Sequence, residues 1–269
     1  MITFRTGDQQ VESYFKKKDV PVEVIRTQWQ GKDIRYLKTE WKSDVNCQIL
    51  FLHGGPGSSN NFHKYLSNKE LLQEARLLAL DRLGYGFSDY GRFTASLQQH
   101  AAVSKYVLDQ HPSNYNIIVG HSFGGPIAGK VAADYPKKIH AALMISPLNE
   151  PETEPIFWIS HFARWKWSKS LLPIPVQLAG DEKFTHAEEL RKIQPDWRSI
   201  CCTITHMHGS WDFLAPLSNV FYSQKNIPAK YLHTIVIKRA GHLLPFTHFD
   251  DIKNELLRLI AVIKHNNPN

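Results

Sequence analysis

The sequence predicts an α/β protein, with a mostly parallel sheet and helices on both of its faces. Two observations carry this reading. Short apolar runs of strand length recur along the chain, and segments with helical spacing of apolar residues separate them. A third concerns a break in that rhythm. Between Pro147 and Ile200 no convincing strand occurs, yet four of the seven tryptophans fall there: Trp158, Trp165, Trp167 and Trp197. This stretch reads as a helical insertion over one end of the sheet.

The elements follow in order. A short helix is expected near 8–17. The segments VEVIRTQWQ and KDIRYLKTEW read as two strands about a Gly31–Lys32 turn. NCQILFLHGG (46–55) and ARLLALDRLG (75–84) are apolar runs that close in glycine, as buried strands do. Leu97, Ala101, Val103, Tyr106 and Val107 give helical spacing over 95–110. YNIIVGHS (115–122) is a strand and GGPIAGKVAADYP (124–136) a helix. Three more strands follow at 140–147, 200–209 and 231–241. A last helix over about 249–264 places Ile252, Leu256, Leu259, Ile260 and Ile263 on one face.

The chain has 269 residues, 42% of them apolar, enough for one well-packed core. There is no internal repeat and no low-complexity tract. The net charge of +7 is spread out; the densest basic run is FKKKD at 15–19, so the charge reads as a solvated surface and not as a nucleic-acid footprint. Cys47, Cys201 and Cys202 make an odd count with two adjacent, which suits buried, reduced thiols and a cytoplasmic location. The first fifteen residues lack the apolar core of a signal peptide, and no run approaches 18 apolar residues, so no membrane span is expected.

Chemistry concentrates in IIVGHSFGGPIAG (117–129), where a strand must turn sharply into a helix at Ser122. The turn leaves no room for side chains at the flanking positions, hence Gly120 and Gly124. Such a G-x-S-x-G elbow holds the hydroxyl clear of the backbone at the carboxyl end of the sheet. A serine needs a base to take its proton. Of the 14 histidines, His242 is best placed, just past a strand and after Gly241. His233 lies inside that strand, His248 opens the last helix, and His121 points away from its neighbour at the elbow. The base in turn needs a carboxylate. Asp212, in a loop directly after a strand, is preferred, and Glu150 is the alternative. The glycine-rich FLHGGPGSS (51–59) supplies backbone donors for an oxyanion, namely Gly55 N–H together with Phe123 N–H. His53 holds that loop. No G-K-[ST] phosphate loop or G-x-G-x-x-G is present, no metal or cofactor is implied, and the partner is a small acyl substrate.

The order Ser122, Asp212, His242, with HGGPGSS and DRLGYGFSD (81–89) upstream, resembles the α/β-hydrolase fold from about residue 20 onward. The resemblance implies an eight-stranded, mostly parallel sheet and a helical cap inserted after strand six. Residues 147–199 would then be the cap, and 1–146 with 200–269 the core. It also gives Asp81, Gly84 and Gly86 a shaping role beside the site. Serine at the elbow sets the chain apart from the dehalogenases and epoxide hydrolases, which place Asp there. HGGPG is shared with proline iminopeptidases, whose cap carboxylates hold a substrate amine. Glu150, Glu152 and Glu154 could do that, but Phe123 and DRLG depart from that branch. The expected activity is ester hydrolysis, with Trp158, Phe162 and Trp165 of the aromatic cap segment lining the acyl pocket. An aminopeptidase-like amidase and a non-hydrolytic member of the fold are the alternatives.

Overall fold

The computed structural model describes residues 4–42, 45–152 and 171–266. Helix α1 (Asp8–Lys17) leads into the hairpin of β1 (Val22–Trp29) and β2 (Lys32–Thr39). Its turn is Gln30–Gly31, with φ of 49° and 74°, one residue earlier than the expected Gly31–Lys32. Two consecutive left-handed residues match the right-handed twist of the flanking strands, and Lys32 is left to pair with Trp29.

Next come β3 (Cys47–Leu52), a 3₁₀ turn (Ser59–Phe62), the short α2 (His63–Leu66) and α3 (Lys69–Glu74), and β4 (Arg76–Leu80). They are followed by α4 (Leu97–Asp109), β5 (Tyr115–His121), α5 (Gly124–Asp134) and β6 (Ala141–Ile145). After the interval beyond β6 come α6 (Ile174–Ile193), a second 3₁₀ turn (Gln194–Ser199) and β7 (Thr203–Gly209). The chain ends with α7 (Ser218–Asn226), β8 (Leu232–Ile237), the short α8 (Leu244–Thr247) and α9 (Phe249–Asn266).

The eight strands form one sheet in the order β1-β2-β4-β3-β5-β6-β7-β8. β2 runs against both of its neighbours, and every pair from β4 to β8 is parallel. Central strands β3, β5 and β6 are buried along their whole length, which explains their mainly apolar sequences; the polar Gln48 and Asn116 at the start of β3 and β5 bond each other. Successive residues serve opposite faces. Leu50 and Leu52 of β3 join Ile118, Met144 and the α4 and α5 side chains. Ile49 and Phe51 join Val119, Leu143, Phe15 and the apolar stripe of α9. A helical cap after strand six completes the architecture.

One tryptophan of the strand-free stretch is placed, and one expectation, that for Cys201, changes. Trp197 packs within the core, 3% exposed, in one cluster with the α5 side chains. A Cβ at Gly129 of α5 would lie 2.5 Å from its ring. Cys47 and Cys202 are buried, but Cys201 is exposed. Strand β7 starts at Thr203 and not at Ile200, so the cysteine pair sits in the approach to the strand, where neighbouring side chains point opposite ways. Among the described residues, no helix is long and apolar enough to cross a membrane.

Because Trp197 fills the space over Gly129, Trp197→Ala should cost about 3–5 kcal/mol. Urea unfolding should show a lower midpoint at an unchanged slope. A midpoint within error of wild type would place the ring outside the core.

Candidate active site

The carboxyl ends of the parallel strands share one edge of the sheet, where open α/β sheets bind ligands. Ser122 follows β5 there with φ of 53°. A residue with a side chain seldom adopts that left-handed backbone, and the surroundings enforce it. Ser122 N–H donates to Ile145 O at 2.9 Å, and Ser122 O accepts Gly125 N–H at 2.9 Å. The turn is so tight that a Cβ at Gly120 would lie 2.0 Å from Gly124 O, and one at Gly124 would lie 2.4 Å from Leu52 O. Only glycine fits at either place.

The loops after β7 and β8 bring the other two residues to the same edge. His242 Nε2 lies 2.9 Å from Ser122 Oγ, and His242 Nδ1 lies 2.8 Å from Asp212 Oδ2. A carboxylate only accepts, so Nδ1 carries the proton and Nε2 accepts the serine hydroxyl. Asp212 Oδ1 accepts the N–H groups of Leu214 at 3.0 Å and Ala215 at 2.8 Å. Burial alone would raise the Asp212 pKa. The hydrogen bond and charge of His242 and the Ala215 N–H outweigh it and hold the carboxyl below its ordinary value.

The remaining histidines take other places. His121 is buried and donates from Nε2 to His242 O at 3.0 Å. Burial, then the charge of His242, pushes its pKa down to about 3, so it stays neutral. His53 binds Gly54 O through Nδ1 at 2.6 Å and accepts Arg82 N–H at Nε2, 3.0 Å away. His233 is exposed on β8, and His248 O accepts Ile252 N–H at the start of α9. His242 pairs with Asp212 and not with Glu150, whose N–H donates to Asn219 Oδ1 at 2.9 Å. Asp81 accepts Ser59 N–H and Phe87 N–H and pairs with Arg35 at 3.0 Å, which ties the loop after β4 to the first glycine-rich loop.

Gly54 passes directly over the serine: a Cβ there would lie 2.9 Å from Ser122 Cβ. Gly55 comes next, followed by a cis bond to Pro56. Phe123 caps α5, so its N–H falls among the helix's free donors. These two residues are backed by α6. Its inward stripe contains Glu182, His186 and Glu189, all buried and all partnered. Glu182 forms a bidentate pair with Arg82 at 2.7 and 3.2 Å and accepts Tyr85 O–H at 2.8 Å. A Cβ at Gly55 would meet Glu182 Oε2 at 2.6 Å. The His186 ring stacks on Phe123 with centroids 3.8 Å apart and bonds Leu148 O at 2.9 Å. Glu189 accepts Leu97 N–H at the start of α4.

A cavity of about 550 Å³ opens on Ser122 and His242. Thr6, Asn60 and Asn61 give it a polar wall, while Leu214, Leu243 and Phe246 give it an apolar one. None of these six was identified from the sequence. Thr6 and Asn60, hydrogen-bonded to each other, come from distant parts of the chain, and their residue types are ordinary for loops. The Arg82–Glu182 pair was missed too, since the partners stand 100 positions apart. Trp158, Phe162 and Trp165, expected to line the acyl pocket, lie outside the described residues, as does Glu154.

The chain has the α/β-hydrolase fold. A family model described as alpha/beta hydrolase fold matches residues 48–170. Among curated proteins, the dihydrolipoyllysine-residue acetyltransferase component of the acetoin cleaving system of Cupriavidus necator is 25% identical over 183 residues. That match covers 65% of this chain and 48% of the relative, so the chain spans about half that protein's length. A solved carboxylesterase from Bacillus subtilis superposes with a TM-score of 0.68 at 17% identity, covering 94% of this chain and 97% of that one. A haloalkane dehalogenase loop variant from Bradyrhizobium elkanii gives 0.70 at 16% identity, covering 92% and 99%. These structures share the fold.

Two outcomes are expected. Glu182→Leu strands the buried Arg82 charge and should cost about 3–5 kcal/mol in urea unfolding, with much of that recovered in Arg82→Met/Glu182→Leu. An Arg82→Met/Glu182→Leu protein no more stable than Glu182→Leu would refute the pairing as the cause. For Asp212, a folded pKa below the unfolded value adds stability that is present above about pH 3.9 and lost as pH falls through the folded pKa. Asp212→Asn should flatten that acidic part of the stability curve, and a curve as steep as wild type would contradict it.

Proposed function

We propose that this protein is a serine hydrolase that cleaves carboxylic esters through an acyl-enzyme, with Ser122 as nucleophile, His242 as base and Asp212 as its partner. The observation that carries this reading is the unbroken hydrogen-bond line from Ser122 Oγ through His242 to Asp212, opening on a cavity. Ser122 Oγ attacks the ester carbonyl while His242 Nε2 takes its proton. Asp212 stabilises the imidazolium. The oxyanion settles on the N–H groups of Gly55 and Phe123, aided by the positive end of α5. His242 returns the proton to the leaving alcohol, and water repeats the sequence on the acyl-enzyme. Residues 147–199 act as the cap over this site.

An amine-recognising cap, as an aminopeptidase would need, finds less support. Glu152 is 70% exposed and paired with Arg191, and Glu182 is fully engaged by Arg82 and Tyr85. Glu150 N–H joins the Asn219 hydrogen bonds at the start of the cap. A purely binding role leaves a hydrogen-bonded Ser–His–Asp set without a purpose.

Ser122→Ala should lower kcat by about 10⁶ and abolish labelling by a fluorophosphonate, with an unchanged circular dichroism spectrum. Wild-type turnover by a clean Ser122→Ala preparation would sink the assignment. Turnover that depends on His242 as base should be lost in His242→Ala. Loss in His233→Ala or His248→Ala, with His242→Ala active, would move the base elsewhere. Wild type should also prefer p-nitrophenyl esters over a prolyl p-nitroanilide in kcat/KM; the reverse order would make it an amidase.

A further inference from the structure

Behind Asp212 lies a buried row of polar side chains that the chemistry above does not use. His208 and His206 of β7 are each fully buried, as is Ser223 of α7, and Asn149 sits at the root of the cap just past β6. His208 Nε2 lies 2.8 Å from Ala215 O, and His206 Nε2 lies 3.0 Å from His208 Nδ1. His206 Nδ1 lies 2.9 Å from Ser223 Oγ, which accepts Asn149 Nδ2–H at 3.0 Å.

The order of these contacts fixes every proton. Ala215 O can only accept, so His208 carries its proton on Nε2. A neutral His208 then accepts at Nδ1, so His206 also carries its proton on Nε2. His206 Nδ1 therefore accepts the Ser223 hydroxyl, and Ser223 needs the Asn149 amide as its own donor. The row points one way, from Asn149 to Ala215. Burial holds both imidazoles below their ordinary pKa, as neutral rings require.

Ala215 is the far end of the turn that holds the carboxylate. Its N–H donates to Asp212 Oδ1 while its carbonyl accepts from His208. Pro216 O accepts Asn219 Nδ2–H at 2.8 Å, and Asn219 Oδ1 accepts Asn149 N–H at 2.7 Å, so the turn is tied back to the same asparagine by a second route. His208 Nε2 is also 3.6 Å from Asp212 Oδ2, the oxygen that binds His242. That is too long for a hydrogen bond, but the N–H dipole still faces the carboxylate. The titratable groups facing His208 are His206 and Asp212 on its own strand and turn and His242 after β8; α7 presents Ser223 and Asn219.

We propose that His208 is a positioning residue for the reaction. Fixed in its Nε2–H form by the Asn149–Ser223–His206 row, it orients the Asp212 turn toward His242 and draws charge from the carboxylate. This rests on the hydrolase reading of the same site. Without the N–H, Asp212 becomes a stronger partner for the His242 imidazolium, and the acid limb of activity moves to higher pH.

Gln and Asn at position 208 separate this role from plain packing. Both are polar, but the Gln amide reaches the place of Nε2, whereas the Asn amide ends near that of Nδ1. His208→Gln should keep wild-type kcat/KM for an ester and the wild-type pH profile of fluorophosphonate labelling. His208→Asn should lose about fivefold in kcat/KM, the worth of one neutral hydrogen bond, with its acid limb displaced upward. Equal profiles for both variants would overturn the proposal. Nitrogen-15 NMR of the imidazoles in the wild-type protein tests it without turnover or variants. Neutral Nε2–H rings at both His206 and His208 from pH 6 to 8 support it; an Nδ1–H or charged His208 overturns it. A wild type without ester turnover or labelling would refute the hydrolase reading, and with it the role of His208 in the reaction, whatever the tautomers.

Discussion

The site depends on one constrained turn. Between β5 and α5 the backbone reverses over Ser122 with so little space that the flanking glycines touch main-chain atoms of β3 and of each other. The left-handed backbone at Ser122 carries a cost of order 1–3 kcal/mol, and the packed strands on both sides hold it in place. Ser122 N–H is tied to the last residue of β6, so the neighbouring strand sets the height at which the hydroxyl stands. The register of β3, β5 and β6 places Leu52, Gly120 and Met144 side by side. The glycine-rich loop after β3 and the elbow after β5 are therefore adjacent whatever lies above them.

Helix α6 is fixed in place on this platform by polar groups as well as by its apolar side chains. An apolar helix face can slide, since burial of surface is not directional. A bidentate Arg82–Glu182 pair cannot slide without leaving two charges buried and unpaired. The pair sits against Gly55, and four residues on in the same helix His186 stacks on Phe123. One helix thus braces the backbone on both sides of the serine. The acid side is fixed in another way, by neutral hydrogen bonds between buried side chains of β7, α7 and the root of the cap.

The N-terminal segment adds a third fixed wall. Asp8 pairs with Arg26 and Arg35, and Arg35 reaches Asp81 in the loop after β4. Arg5 lies over the Phe87 and Tyr90 rings. Thr6 is held beside Asn60 at the cavity as a result. Five separate parts of the chain, the N-terminal segment and the loops after β3, β5, β7 and β8, contribute to a space that no single motif describes.

Much of this could be read from the residues. All eight strands are visible: β3, β5 and β6 as mainly apolar runs, because both of their faces are covered, and β1 and β8 by the alternation of a half-exposed strand. Ser122, His242 and Asp212 stand out because a serine between glycines after a strand, and a histidine and an acid after later strands, are local patterns. Near misses came where the local signal was ambiguous. The hairpin turn moved by one residue because Gln30 takes a left-handed backbone that its side chain does not advertise. Cys201 was misplaced because an apolar residue type does not reveal which side of the chain is covered. What tertiary structure alone decided are the long-range polar pairs: Glu182 with Arg82, His206 with Ser223, Thr6 with Asn60. A buried charge or imidazole is tolerated only when a partner meets it, and that partner is chosen by the path of the chain through space, which the spacing of residues along the sequence does not encode.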